Sequence, residues 1–181
     1  EQQMDLLKKD NKPEWTRPNF PDVTGIKQVA IDLETHDPEI KVLGGGWATN
    51  KGFVVGVAVS FEGFDGYFPV RHERGGNFSE DEVKKWLRKL FKEDPIVICH
   101  NAVYDLGWLR RWGVECNVTK VYDTLIAAPL VDENRFSYSL DSLSKDYLGE
   151  RKQGNILEEF GKEHGFKAIE KMHLVPVEYA G

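Results

Sequence analysis

The stretch Val29-Ala30-Ile31-Asp32-Leu33-Glu34-Thr35 decides how the rest of the chain is read. Apolar residues give way to two carboxylates one residue apart, the pattern of a β-strand that passes from core to solvent along its length. Side chains alternate faces along a strand, so Asp32 and Glu34 share one face while Ile31 and Leu33 point to the other. Two negative charges that close raise each other's pKa unless a cation lies between them, which makes the pair most sensible around a hard divalent metal. Taken alone, an Asp-x-Glu pair is more often a solvated strand end. The remainder of the sequence has to choose.

A length of 181 residues suits one domain able to bury a sizeable core without disulfide or metal staples. No apolar run approaches the roughly 20 residues of a membrane helix, so no membrane partner is expected. Cys99 and Cys116 are too far apart for a metal knuckle, and Cys99 lies in an apolar strand pattern where a buried thiol is the rule. With no secretory signal in view, a reducing, cytoplasmic setting is expected. The net charge of −6 argues against a broad electrostatic clamp on nucleic acid. It leaves open an acidic site that holds phosphate through a metal.

Residues 1–25 read as an extended arm, because Pro13, Pro18 and Pro21 restrict the backbone while Trp15 and Phe20 are placed to pin it to the domain; residues 1–12 read as a short helix or a linker. A first strand is expected over Ile26–Glu34, followed by a loop from His36 to Asn50. The loop's Gly44-Gly45-Gly46 lacks the spacing and Lys of a phosphate cradle. Phe53–Phe61 and Gly66–Val70 read as strands joined by the turn residues 62–65, an antiparallel hairpin. Ser79 to Glu82 has the form of a capping box, opening an amphipathic helix through Val83, Trp86, Leu87 and Leu90. Pro95–Cys99 is short and apolar, suited to a strand buried on both faces. Ala102–Trp112 then has helical periodicity, with Asp105 in its first turn just past the strand's carboxyl end. Beyond Gly113, a short strand is expected at Val118–Tyr122, with Asp123-Thr124 capping a helix to about Leu130. A helix over Ser139–Leu148 ended by Gly149 and short helical segments at Ile156–Phe160 and Phe166–Met172 complete the chain.

Three strands, then alternating helices and strands, with carboxylates on the first strand and at the start of the helix after the fourth, resemble an α/β ribonuclease H-like fold: a mixed five-stranded sheet, antiparallel then parallel, with flanking helices. The resemblance sharpens to the DEDD 3′→5′ exonucleases, and among them to the proofreading domain of family A, phage-like DNA polymerases. Asp32-Leu33-Glu34-Thr35 resembles the first motif of that family, and His100-Asn101-Ala102-Val103-Tyr104-Asp105 the second. Tyr122-Asp123-Thr124 and the run from Leu140 to Gly149 resemble its framework. The likeness covers residues 26–181, the exonuclease domain. The family's third motif, a Tyr followed four residues later by an Asp, departs from this sequence: Val175 to Gly181 resembles the approach to it, which implies a domain truncated before that motif, its fourth carboxylate beyond Gly181.

The resemblance implies a metal-dependent 3′→5′ exonuclease that proofreads, releasing nucleoside monophosphates from the 3′ end of single-stranded DNA in a phage or bacterial cell. It implies two Mg²⁺ or Mn²⁺ ions, with Asp32 shared, Glu34 on the nucleophile side and Asp105 on the other, and a polymerase domain, C-terminal in the same parent chain, as partner. Leu33, Thr35 and Asn101 are implied contacts to the terminal nucleotide, with core packing or capping as the other reading of each. A ribonuclease D-like RNA exonuclease shares these carboxylates, and a non-catalytic nucleic-acid or polymerase-binding domain is a third class. His100 reads as a hydrogen-bonded structural residue, Asp123 and Asp141 as helix caps, and Trp108 and Trp112 as core. Phe136, in a polar loop, is open to base stacking.

Overall fold

The computed structural model describes residues 15–149 and 154–180; the expected helix or linker at residues 1–12 lies outside them. In chain order the elements are β1 (Gln28–His36), α1 (Ile40–Leu43), α2 (Gly46–Thr49), β2 (Phe53–Phe61), β3 (Phe64–Pro69), α3 (Glu80–Lys92), β4 (Ile96–Cys99), α4 (Ala102–Arg111), β5 (Val121–Asp123), α5 (Thr124–Val131), α6 (Leu140–Leu148), α7 (Gly154–Glu163) and α8 (Val177–Ala180), with two single 3₁₀ turns before α8. The strands form one sheet in the order β3-β2-β1-β4-β5. β1 to β3 are antiparallel, and β4 and β5 run parallel to β1. This is the mixed sheet with flanking helices of the ribonuclease H-like fold. Among the described residues no helix is long and apolar enough to cross a membrane.

The main core forms where alternating residues of β1, namely Val29, Ile31 and Leu33, meet the apolar faces of α3 and α4. From α3 come Val83, Trp86, Leu87 and Leu90, at the spacing of one helix face. Trp108 and Leu109 of α4, and Trp112 after it, are buried in the same core. The arm is pinned as expected: Phe20 stacks on Phe68 at 5.3 Å, and the Trp86 indole donates to the Pro21 carbonyl at 2.9 Å. A second, smaller core gathers Val55, Phe160, Ala168, Met172 and Val175. The two meet at a bulge, since Glu34 pairs with Gly56 but Thr35 pairs with Val54, leaving Val55 as the extra residue. The bulge turns Val55 into the second core while Val54 stays in the first.

Several boundaries differ from the sequence expectation. β1 starts and ends two residues later. The hairpin turn is two residues, Glu62-Gly63, not four, because Gly63 takes φ +81° and lets Phe61 pair with Phe64 and stack on it at 5.0 Å. The loop after β1 contains the helical turns α1 and α2. α3 begins at the expected place, yet Ser79 makes no side-chain capping bond. Its first turn is held through Glu80, which accepts from Arg71, from the Trp112 indole and from Lys84. β5 is shifted to Val121–Asp123, and the segment read as a helix at Phe166–Met172 is split into 3₁₀ turns at Ala168–Glu170 and Met172–Leu174. The cap of α6 is Ser139, whose hydroxyl accepts from the Ser142 N–H, while Asp141 sits in the first turn.

Leu87, fully buried between α3 and the sheet, and Leu130, 84% exposed on α5, give a paired test of this packing. Leu87→Ala is expected to lower unfolding free energy by about 2–5 kcal/mol, and Leu130→Ala to change it by less than about 0.5 kcal/mol, both read from urea denaturation.

Candidate functional site

The bare face of β1 carries Ala30, Asp32 and Glu34. Their partners across the ladder are small: Ser60, Ala58 and Gly56. Small residues in that row leave the carboxylates standing above the sheet floor, half-buried rather than covered. The backbone N–H of Leu33, between them in sequence, donates to Asp105 Oδ1 at 3.2 Å. One bond thus ties the first turn of α4 to the centre of β1 and brings the third carboxylate to the first two. Asp105 is only 3% exposed. Burial first, and then the charge of Asp32, push its carboxyl up to about 7, with Asp123 and Glu34 adding to the rise.

The donors are all carboxylate oxygens, mutually repelling and partly desolvated, a set that a hard divalent cation would relieve and that suits Mg²⁺ or Mn²⁺ rather than zinc. Among the described residues no group of three His, Cys, Asp or Glu side chains is placed to hold a metal ion as the side chains stand. Asp32, Glu34 and Asp105 thus lie near one another without forming a complete metal site, and an ion held there would need further ligands such as water or phosphate.

Asp123, the last residue of β5, organises the turn that delivers Asp105. Its carboxylate accepts from the N–H groups of Asn101 at 3.0 Å and Ala102 at 2.8 Å, and caps α5 through Leu125 at 2.9 Å. Burial works to raise its pKa, yet these backbone donors hold it below the usual carboxylate value. The bonds matter because Asn101 sits at φ +84°, in the left-handed region, where a non-glycine residue needs support. His100 is structural: the Thr124 hydroxyl donates to the Cys99 carbonyl, so its oxygen accepts from His100 Nδ1 at 2.9 Å. The neighbouring Cys99 thiol is pushed up to about 12, chiefly by burial.

Of the residues expected to meet a nucleotide, Leu33 has its side chain in the main core, leaving only its backbone toward the site. Asn101 is exposed at the head of α4. Thr35 is held in a chain the sequence did not reveal. Its hydroxyl lies 2.7 Å from the Tyr104 hydroxyl, which donates to Asp37 Oδ2 at 3.1 Å; the same oxygen accepts the Gly46 N–H at 2.8 Å. Asp37 thus anchors α2 beside the site, while His36 turns away to pack its ring, tilted, against Phe53 and, edge-on, against His173. An Asp just past a strand pattern is the only sequence signal for that role. Beside Asp32 a cavity of about 590 Å³ runs over Ala30, Ala58 and Ser60, walled by Trp15, Ile98 and Leu140. Phe136 is fully exposed, and Tyr179 packs on Phe160 at 5.0 Å in the second core.

A sequence profile described as 3′→5′ exonuclease matches residues 20–172. A DNA-directed DNA polymerase of Pseudomonas phage M6 is 32% identical over 177 residues, covering 93% of this chain and 26% of the relative. The DNA polymerase DpoZ of Salmonella phage PMBT28 is 33% identical over 153 residues, covering 84% and 22%. The chain spans about a quarter of the length of these relatives. Among solved structures, NrnC of Brucella melitensis with bound Mg²⁺ superposes with a TM-score of 0.53 at 18% identity, covering 90% of this chain and 88% of that one.

Asp105 is the group whose titration the fold should feel. Its pKa is raised on folding, so the folded state holds its proton more tightly than the unfolded one. Stability is full below the unfolded value near 3.8 and falls as pH rises toward about 7. Asp105→Asn keeps an oxygen for the Leu33 N–H and removes the charge. In EDTA at pH 8 it is expected to be more stable than wild type, by on the order of 2–4 kcal/mol, with the gain gone at pH 4. Thermal unfolding at the two pH values measures it, and a variant that gains nothing at pH 8 contradicts the buried-charge account.

Proposed function

The chain belongs to the 3′→5′ exonuclease family found in DNA polymerases, and from that premise we propose that it trims single-stranded DNA from the 3′ end for an attached polymerase, using Asp32, Glu34 and Asp105 to hold two Mg²⁺ or Mn²⁺ ions. The observation that carries this reading is the buried, charge-raised Asp105 bonded to the backbone between Asp32 and Glu34. Acidic residues gathered at a site and left partly desolvated are stable mainly as cation ligands. When bound, such ions supply an activated water and charge stabilisation at the phosphate and its leaving oxygen.

The protein's own part is orientation. β1 fixes Asp32 and Glu34 on one face. The Leu33 N–H holds Asp105 by one of its oxygens. Asp123 holds the Asn101 turn in its left-handed conformation, and the exposed Asn101 side chain at that corner is the candidate contact to the terminal nucleotide. Thr35, with its hydroxyl engaged by Tyr104, contributes a wall and not a free donor. The cavity of about 590 Å³ beside Asp32, floored by Ala30, Ala58 and Ser60, offers room for an unpaired base next to the carboxylates. The fourth carboxylate of the family is proposed to come from chain past Gly181, completing the Glu34 side of the site.

The test is Mn²⁺-dependent release of mononucleotides from 3′-labelled single-stranded DNA, with a matched RNA beside it, in this chain and in a form extended past Gly181. Asp32→Ala in the extended form is expected to lose about 10³-fold in rate, the scale of several kcal/mol of metal-borne stabilisation. Preferential cleavage of the RNA would instead favour the ribonuclease D-like reading. An Asp32→Ala protein as active as its parent would sink the carboxylate assignment.

A further inference from the structure

Tyr67 lies on β3 in the same cross-strand row as Asp32, since Tyr67 pairs with Ala58 and Ala58 with Asp32. It is buried, at 4% exposure. Its ring leans along the sheet so that the hydroxyl sits over Gly56, the ladder partner of Glu34; a Cβ built on Gly56 would overlap that hydroxyl. The absence of a side chain at Gly56 is therefore what lets a phenol stand beside Glu34. The hydroxyl is in turn 2.7 Å from His72 Nε2, and His72 Nδ1 is 2.7 Å from the Val175 carbonyl oxygen. His72 is 3% exposed.

The hydrogen positions follow from the chemistry of the three groups. A carbonyl oxygen only accepts, so His72 Nδ1 carries the hydrogen and Nε2 is bare. Tyr67 must then donate its single proton to His72, and what remains toward Glu34 is the bulk of the phenol and an acceptor lone pair. Burial, together with the charges of Glu34 and Asp32, holds the Tyr67 pKa well above its ordinary value, in keeping with a neutral phenol next to the carboxylates. On the far side, Val175 belongs to the second core, and the Glu73 N–H adds a bond to the His173 carbonyl at 2.8 Å.

We infer that Tyr67 and His72 are a positioning pair, the Tyr67 hydroxyl limiting where the Glu34 carboxylate can swing across Gly56 and His72 fastening that prop to the C-terminal segment at Val175. The inference rests on reading Glu34 as a site carboxylate. It deepens that reading by naming what sets Glu34 and what couples it to residues 172–180. Neither residue touches the reacting atoms, and neither changes its proton count in this role.

The experiment is NMR of protein carrying ¹³C-labelled Glu side-chain carboxyls, with Glu34 assigned by the signal lost in Glu34→Gln, alongside Mn²⁺ titration followed by electron paramagnetic resonance. Tyr67→Phe and, separately, Gly56→Ala are expected to shift the Glu34 carboxyl signal and to weaken Mn²⁺ binding about five- to tenfold in protein that remains folded. Should Tyr67→Phe not fold, His72→Gln, which keeps the phenol and disturbs its fixed acceptor, gives the same reading. A purely structural role lowers the unfolding temperature but leaves the Glu34 signal where it was, and that result overturns the inference. Asp32→Ala serves as the separate control. If it binds Mn²⁺ as tightly as wild type, the metal reading of the site fails, while the Glu34 signal still decides the role of Tyr67.

Discussion

The hydrogen bond from the Leu33 N–H to Asp105 is the constraint on which the site depends. It spans 72 residues of sequence and joins the centre of β1 to the first turn of α4. Forming it requires burial of a carboxylate within reach of two others, which lifts Asp105 far above the usual carboxylate range. The surrounding structure must hold that arrangement against electrostatic repulsion. It does so with the main core on one side of the sheet, where Trp108 and Leu109 of α4 pack under β1 and leave the helix no freedom to withdraw its first turn.

Two devices flank this bond and act on backbone rather than side chains. Asp123 receives the N–H groups of Asn101 and Ala102, so the turn from β4 into α4 keeps a left-handed residue at its corner. The bulge at Val55 lies beside Glu34 and turns that side chain into the second core, while Val54 and Val57 on either side stay in the main one. Bulges commonly re-aim side chains next to active sites. Here the consequence is a Gly56 that faces the carboxylates and a Val55 that anchors the C-terminal turns. The second core is thereby built directly against the strand that bears Glu34.

The carboxylate face is open because its cross-strand partners are small. Ser60, Ala58 and Gly56 on β2 supply no cover, and the resulting trough extends from Asp32 to Leu140. The opposite face of β1 is covered by the main core. The chain spans about a quarter of the length of its polymerase relatives.

The sequence by itself determined the order of the five strands, the strand carrying Asp32 and Glu34, the helix with Asp105 in its first turn and the cap at Asp123, because alternation, helical spacing and capping chemistry are local and recur within a few residues. It also placed Trp108 and Trp112 in the core. Only the tertiary structure decided the rest. The shift of β5 and the replacement of a Ser79 cap by Glu80's bonds to Arg71 and Trp112 depend on partners in other elements. The same holds for Asp37 with Tyr104 and Gly46, and for Tyr67 with His72 and Val175. These contacts join residues up to 103 positions apart, and no periodicity in a sequence window encodes which distant hydroxyl or carbonyl a side chain will meet once the sheet has closed.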